Sequence, residues 1–445
     1  IAPADWARFQ YYVKRVREFK STKSIQQMHQ SAWLLAEILL RGKPLLPNLR
    51  RLEMTVAVKE PAGHLLFLSS SPALRILSVK FSHVSNESSD RFELVPEAAG
   101  LLLPLIMSKI PDLITLSLET GHHVLTTNHL RSLEGLPRLQ SLDLIATAEM
   151  NLAALQVLSR LPALRTLNVT ARFSSASKKP PVPAAGNFAL LRQLTLQGRL
   201  SDIVSFFHAF TFDALDESLG LNISDAATDI AIKEKLAVIM PKVPRKIRGF
   251  SLLFQSLKFS TGSGLSLSTV FESCLDFGDV IDVAFGFASP LRQFADDDLL
   301  RFAKAWPKLQ SLRLNDIVGR YNAEGDTTAS QITLEGLASI SEHCPHLSTL
   351  EIPVLDATSV LPISSFPTIG HKNMRDILIT ELHNGATANL LDIALILDRL
   401  FPLLDTKRRI CIRNRNSRPS LRQSSLKDPW GLTQALLAAV QAGRE

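Results

Sequence analysis

The sequence predicts an α/β solenoid: a horseshoe-like arc of stacked strand-and-helix units, with a parallel sheet on the concave face and helices on the convex face. Three observations carry this expectation. A nonamer of the form [LIWCS]-P-x-L-x-x-L-x-[LIV] recurs along the chain, as LPRLQSLDL at 136–144, LPALRTLNV at 161–169, WPKLQSLRL at 306–314 and CPHLSTLEI at 344–352. Its proline falls at Pro47, Pro72, Pro111, Pro137 and Pro162, then at Pro307 and Pro345. The intervals cluster at 25 or 26 residues, and longer ones of 38 or 39 leave room for a loop. Inside each nonamer, apolar residues alternate with polar ones at the period of a strand. A strand and a helix of this size cannot bury their apolar faces alone, but stacked copies can.

Taken in order, the first segment, residues 1–45, reads as a helical cap. Asp5 is placed to cap a helix starting at Trp6, and Trp6, Phe9, Val13 and Val16 then form one apolar stripe. Such a helix seals the open end of the array, or bridges it to an upstream domain. The repeat array spans 46–415. In LQSLDL, Leu142 and Leu144 share the core face, while Ser141, Asp143 and Ile145 share the other. The proline stands just before the strand, and at a strand entry no ladder hydrogen bond is needed. NLAALQVLSRL at 151–161 supplies the helix, with Leu152, Leu155 and Leu158 at helical spacing.

Weaker copies lack the proline: LLRQLTL at 190–196, KIRGFSL at 246–252, VIDVAF at 280–285 and MRDILI at 374–379. About a dozen units are expected, with only a faint register between 200 and 290. RFSSASKKPPVPAAGN at 172–187 and DIVGRYNAEGDTTASQI at 316–332 read as exposed insertions that follow a strand and could reach a ligand. The last segment, 416–445, holds a basic loop and a capping helix: Asp428 precedes Pro429 at the first helical position, and Trp430, Leu436, Leu437 and Val440 are its packing residues.

Composition narrows the function classes. With 46% hydrophobic and 20% charged residues among 445, neither global disorder nor a fibrous chain is indicated. The aromatic share of 7% points to a core of stacked aliphatics. Cys274, Cys344 and Cys411 are far apart and form no CxxC pair, so no disulfide framework is readable and a reducing compartment, cytoplasmic or nuclear, is expected. AAGLLLPLIM is about half the length a membrane span needs, so no membrane partner is expected. The net charge of +7 is concentrated at 406–427, which holds eight Lys or Arg and no acid. That stretch lacks aromatic interleaving and any known binding motif, which argues for a solvated loop and against a nucleic-acid partner.

A search for chemistry finds no catalytic, cofactor-binding or metal-ligating set. TGSGLSLS at 261–268 has neither the Walker spacing nor the dinucleotide fingerprint. His122, His123 and His129 stand in a turn without an HExxH spacing. Cys344 and Leu347 occupy repeat positions that need apolar bulk, so His343, Cys344 and His346 read as packing residues and not as ligands. Asp296, Asp297 and Asp298 stand at a helix start, where the dipole favours negative charge.

The repeated nonamer resembles leucine-rich-repeat proteins, and HCPHLSTLEI at 343–352 is similar to the cysteine-containing repeat of F-box proteins. DWARFQYYVKRVREF at 5–19 is similar to the segment that follows the F-box in fungal F-box/leucine-rich-repeat proteins. The resemblance implies a non-enzymatic substrate receptor, one that joins a Skp-family adaptor and a cullin through an F-box upstream of Asp5. The alternatives are a leucine-rich-repeat scaffold unrelated to ubiquitin and, more remotely, an enzyme with an unrecognised site. In either repeat-protein reading the partner is a protein, and the strand residues facing away from the core should bind it: Asp143, Asn168, Thr195, Arg313 and Glu351.

Overall fold

The computed structural model describes residues 3–21, 35–36, 38–57, 68–82, 104, 107–119, 127–144, 150–173, 186–258, 265–288, 294–316, 332–359, 361–367, 370–384, 389–405 and 429–444. The chain divides into two compact units, Ile1–Leu215 and Asp216–Glu445. In the first, helix α1 (Pro3–Val13) precedes strands β1 (Glu18–Ser21), β2 (Arg51–Ala57), β3 (Ile76–Ser82) and β4 (Thr115–Glu119). Then come α2 (Thr127–Arg131), β5 (Ser141–Leu144), α3 (Leu152–Ser159), β6 (Thr166–Ala171), β7 (Gly186–Asn187), β8 (Gln193–Gly198), α4 (Leu200–Ala209) and β9 (Phe210–Thr211). Strands β1 to β6 and β8 pair in chain order, all parallel. The short β7 and β9 form a separate parallel pair.

The second unit alternates β10 (Ser218–Thr228), α5 (Asp229–Ile239), β11 (Gly249–Lys258), α6 (Leu267–Val270), β12 (Asp282–Phe287), α7 (Asp296–Ala305), β13 (Ser311–Asp316), α8 (Leu334–His343) and β14 (Thr349–Ala357). It closes with β15 (Asp376–Asn384), α9 (Leu390–Leu400) and α10 (Pro429–Ala442). Strands β10 to β15 again pair in chain order and in parallel. The faint register at 200–290 therefore resolves into three strands of the parallel sheet, β10 to β12, with a register shift between Ile223 and Ala226 in β10. Strand β10 carries no proline and one residue more before it, which hid the pattern: Leu215 and Leu219 are four apart where Leu139 and Leu142 are three apart.

A turn fixes each strand's start. The first residue of the nonamer accepts a hydrogen bond from the amide of the fourth: Leu136 O from Leu139 N at 3.2 Å, Trp306 O from Leu309 N at 3.1 Å, Cys344 O from Leu347 N at 3.1 Å. Proline, the second residue, thus stands where its fixed φ is pre-set for a β-turn. The strand follows this turn: β5 starts at Ser141, four residues after Pro137.

The core is a set of in-register rows. Leu52, Leu77, Leu116, Leu142, Leu167 and Leu194 are Cα partners on consecutive strands and are all fully buried. Leu219, Phe250, Val283, Leu312 and Leu350 form the matching row of the second unit. Each such side chain contributes about 1.5–3 kcal/mol when buried. The core is less aliphatic than the composition suggests. Phe188, Phe206, Phe210 and Phe212 cluster in the first unit, and in the second Phe271 stacks on Phe285 at 4.4 Å and Phe302 on Trp306 at 5.1 Å. Most of the buried phenylalanines fall between Phe188 and Phe302, so a low average over the chain conceals them.

Helix starts carry the polar links between repeats. Asn151 caps α3 and Thr228 caps α5 through Ala154 N and Ala231 N, at 2.9 and 3.2 Å. Asp296 accepts from both Thr333 N (2.9 Å) and Thr333 Oγ1 (2.6 Å), tying α7 to the cap of α8. Asp298, buried, accepts from Ser268 N (2.8 Å) in the repeat before and from Ala295 N (3.2 Å) at its own helix start. Gly336 is required beside this link, because a Cβ there would collide with the Asp296 carboxylate.

At the ends, α1 begins at Pro3, so Asp5 stands inside the first turn and not at the cap; it still meets the positive end of the helix dipole. Val13 is buried, Trp6 and Val16 are half-buried and Phe9 is exposed, so the stripe docks by its C-terminal half. Helix α10 starts at Pro429 as expected, with Leu437 buried, Leu436 and Val440 half-buried, and an Arg444–Asp398 ion pair to α9. The side chain of Trp430, the basic stretch 406–427, Cys411, and the greater part of both insertions (174–185 and 317–331) lie outside the described residues.

Leu142→Asp should unfold the first unit, because it buries an unpaired charge in a fully closed row. Asp143→Ala, one residue on, should leave the fold intact. Asp296→Ala should cost about 1–3 kcal/mol by orphaning the Thr333 donors. Thermal and urea melts read all three, and equal losses at 142 and 143 would contradict the register.

Candidate functional site

The parallel register that closes the core also lines up the residues pointing away from it. In the first unit Ser117, Asp143, Asn168 and Thr195 are successive Cα partners, and Thr115, Ser141, Thr166 and Gln193 form the row beside them. All are half-buried except Thr195, which is exposed. Ser117 Oγ donates to Asp143 Oδ2 at 3.5 Å, and Thr166 Oγ1 to Gln193 Oε1 at 3.4 Å. These hydroxyls and amides can turn to donate or accept, so the surface suits hydrogen bonding to another chain.

Asp143 stands out in this neutral field. Its Oδ1 is buried and has no hydrogen-bond partner. Burial pushes its carboxyl above the usual aspartate range, opposed by hydrogen bonds from Ser117 and Asn168 and aided by the negative charge of Glu119. Toward β1 the same face is charged but self-paired. Lys20 meets Glu53 at 2.8 Å and Lys80 meets Glu119 at 2.6 Å, and the Glu53 carboxyl is held low by its bonds to Lys20 and Arg51.

In the second unit Arg313 and Glu351 are Cα partners, as the repeat alignment required. Arg313 is already engaged, however: Nη2 lies 3.0 Å from both oxygens of Asp282, and Nε donates to Ser311 Oγ at 3.1 Å. Across β10 to β12 the equivalent positions are Gly220, Ser251 and Ala284, small residues that offer a partner little side chain. The five residues chosen from sequence thus fall into two rows, Asp143–Asn168–Thr195 in one unit and Arg313–Glu351 in the other. Sequence reading passed over Ser117, Thr166, Gln193 and Asp282, although the sixth and eighth nonamer positions mark them all.

Other chemistry-bearing residues are absorbed into the structure. Cys274 and Cys344 are buried, and burial pushes both thiols up to about 12, far from a reactive thiolate. His343 Nδ1 lies 2.9 Å from Ser339 O. His129 belongs to α2 and not to a turn, and burial lowers its pKa; His122 and His123 lie outside the described residues. Ser266, from the glycine-containing stretch, caps α6. Among the described residues no group of three or more His, Cys, Asp or Glu is placed to hold a metal ion. Nor is any described helix long and apolar enough to cross a membrane.

No family model matches the chain, and no curated protein does. Among solved structures, an internalin from Listeria monocytogenes superposes with a TM-score of 0.34 and 12% identity over 84% of each chain.

The raised Asp143 carboxyl makes a signed prediction. The folded state holds this proton more tightly than the unfolded chain, so its contribution is present at low pH and lost as the pH rises through the folded-state pKa. Asp143→Asn should therefore raise the melting temperature at pH 7, and the gain should shrink as the pH falls toward the ordinary value of 3.8. Coincident melts of the two proteins at pH 7 would contradict the site's electrostatics.

Proposed function

We propose that this chain is a protein-recognition module without chemistry of its own, and that it serves as the substrate-binding part of an F-box subunit of a cullin-type ubiquitin ligase in the cytoplasm or nucleus. The recognition reading rests on one observation. A row of hydrogen-bonding side chains, Ser117–Asp143–Asn168–Thr195, is held in register on the sheet face away from the core, with a carboxylate at its centre that the fold leaves short of donors. A rigid sheet offers such a row without ordering cost on binding, which favours a specific protein partner.

The ligase reading draws on the resemblance of residues 5–19 and 343–352. It gains support from the position of the first of these: α1 leads straight into β1, the strand beside β2, so an upstream domain would be coupled directly to the array.

Gel filtration with a purified Skp-family adaptor tests the finer reading. A chain extended through its natural upstream residues should co-elute with the adaptor, and residues 1–445 should not. If neither does, the scaffold reading replaces it. Once a substrate is in hand, Asn168→Lys with Thr195→Lys should weaken its binding at least about tenfold, as expected when a central polar contact is lost, at an unchanged melting temperature. Undiminished binding would move the site off this face.

A further inference from the structure

A second surface of the first unit has a different chemistry. At the fifth nonamer position, where each strand begins, stand Arg17, Arg50, Arg75, Ile114, Gln140, Arg165 and Arg192. They are held next to one another by the backbone. Arg17 O accepts from Arg50 N at 2.7 Å, Arg50 O from Arg75 N at 2.9 Å, and Arg165 O from Arg192 N at 2.8 Å. The backbones from which neighbouring arginine side chains leave are therefore about 4.8 Å apart, one strand spacing. Like charges placed opposite each other on adjacent strands repel. Arg50 and Arg165 are exposed, and their side chains have no hydrogen-bond or ion-pair partner among the described residues.

The chain itself shows what satisfies this edge. Asp112, at the third position of its repeat, sets Oδ2 3.3 Å from Arg75 Nη2 and Oδ1 3.2 Å from Arg138 Nη1, so one carboxylate bridges arginines of the repeats before and after it. The other repeats of this unit have no such acid: their third positions are Arg15, Asn48, Ala73, Arg138, Ala163 and Leu190. The charge balance of the units agrees. Residues 1–215 carry 24 Lys or Arg against 16 Asp or Glu, an excess that favours an anionic partner; residues 216–445 carry 25 against 26, eight of the bases being in the acid-free stretch 406–427.

We propose that this arginine-lined edge is a docking surface for an acidic peptide segment of a partner protein, whose carboxylates occupy at Arg17/Arg50 and Arg165 the role that Asp112 plays between Arg75 and Arg138. Arginine is suited to it, since its planar fork pairs with a carboxylate through two parallel hydrogen bonds. A single-stranded nucleic acid fits less well. The sixth-position residues beside the ladder are Arg51, Ile76, Thr115, Ser141, Thr166 and Gln193, and none offers a ring on which a base could stack. This edge is separate from the sheet-face row and does not depend on the ubiquitin reading.

The test uses the full chain and a fluorescent poly-glutamate peptide of about ten residues, with anisotropy read at low salt and at about 0.3 M, where screening is strong. Binding should weaken with salt. Arg50→Glu with Arg165→Glu should lower affinity at least about tenfold, the scale of losing charged hydrogen bonds. The conservative Arg50→Lys with Arg165→Lys should fall between, which separates fork geometry from charge. Replacing Arg408, Arg413 and Arg418 in the basic stretch by Gln should leave affinity within about twofold. Peptide binding that survives the double Glu substitution overturns the proposal, as does loss of binding only in the Arg408/Arg413/Arg418 variant. Tighter binding of a single-stranded DNA of equal charge, lost on the same two substitutions, would assign the edge to nucleic acid instead. Melting temperatures confirm folding; if the Glu variant does not fold, an unchanged affinity in the Lys variant counts against the proposal.

Discussion

The carbonyl at the fifth position of most nonamers accepts two amide hydrogens from the repeat that follows, and the rest of the architecture depends on this shared acceptor. Ile114 O takes Gln140 N and Ser141 N, Gln140 O takes Arg165 N and Thr166 N, and Ile281 O takes Gln310 N and Ser311 N, at 2.8 to 3.0 Å. One such bond is worth only about 0.5–1.5 kcal/mol net. Its effect is geometric: it locks the start of each strand to the strand before, and the turn upstream has already oriented that start. With the start fixed, every later position is in register, and a one-residue slip would turn the whole leucine row to solvent.

The side of the molecule bearing the helices is under a weaker constraint, and it varies. The helices between strands range from the four-residue α6 to the 11-residue α5. What keeps these unequal pieces stacked is a set of individual devices. Asp296 joins Thr333, Asp298 joins Ser268, and in the repeat starting at His371 the imidazole Nδ1 accepts from Met374 N at 3.1 Å while Nε2 sits 2.7 Å from Cys344 O. There a side chain takes the place of the turn carbonyl used elsewhere and also reaches back one repeat. Aromatic stacks fill the wider gaps, where aliphatic side chains would leave voids.

Much of this was legible in the residues. The nonamer alone located β5, β6, β13 and β14, and its weaker copies located β8, β11, β12 and β15. Period-2 alternation is a local property, so it survives in a bare sequence. What stayed hidden depends on distance. The partner of Asp296 is 37 residues away, and that of Arg313 is 31 residues back. No periodicity announces that the first is an interhelical link, or that the second is already paired. The proline was placed ahead of the strand, but its part in a turn was not read, because any strand entry tolerates its missing amide. The site was legible only as a set of positions: register predicted which side chains share a row, and burial decided that the carboxylate of the row, Asp143, keeps one oxygen without a donor.

That charge bears on function. Leucine at 142 and 144 is what any stack of this kind demands, but nothing in the stack demands a carboxylate at 143: the aligned positions hold Ser117, Asn168 and Thr195, all neutral and all hydrogen-bonding. An amide there would satisfy the same neighbours without the cost of desolvating an anion. Where each level of a sequence otherwise agrees with its fold, a residue that works against stability marks a position kept for another purpose. The arginines at the strand starts follow the same logic with opposite sign: Asp112 bridges Arg75 to Arg138, whereas the exposed side chains of Arg50 and Arg165 have no such carboxylate among the described residues. The fold thus sets one row of side chains across its strand faces and a second along its edge. In each, the charge left unrelieved by the chain is the one a partner is best placed to meet.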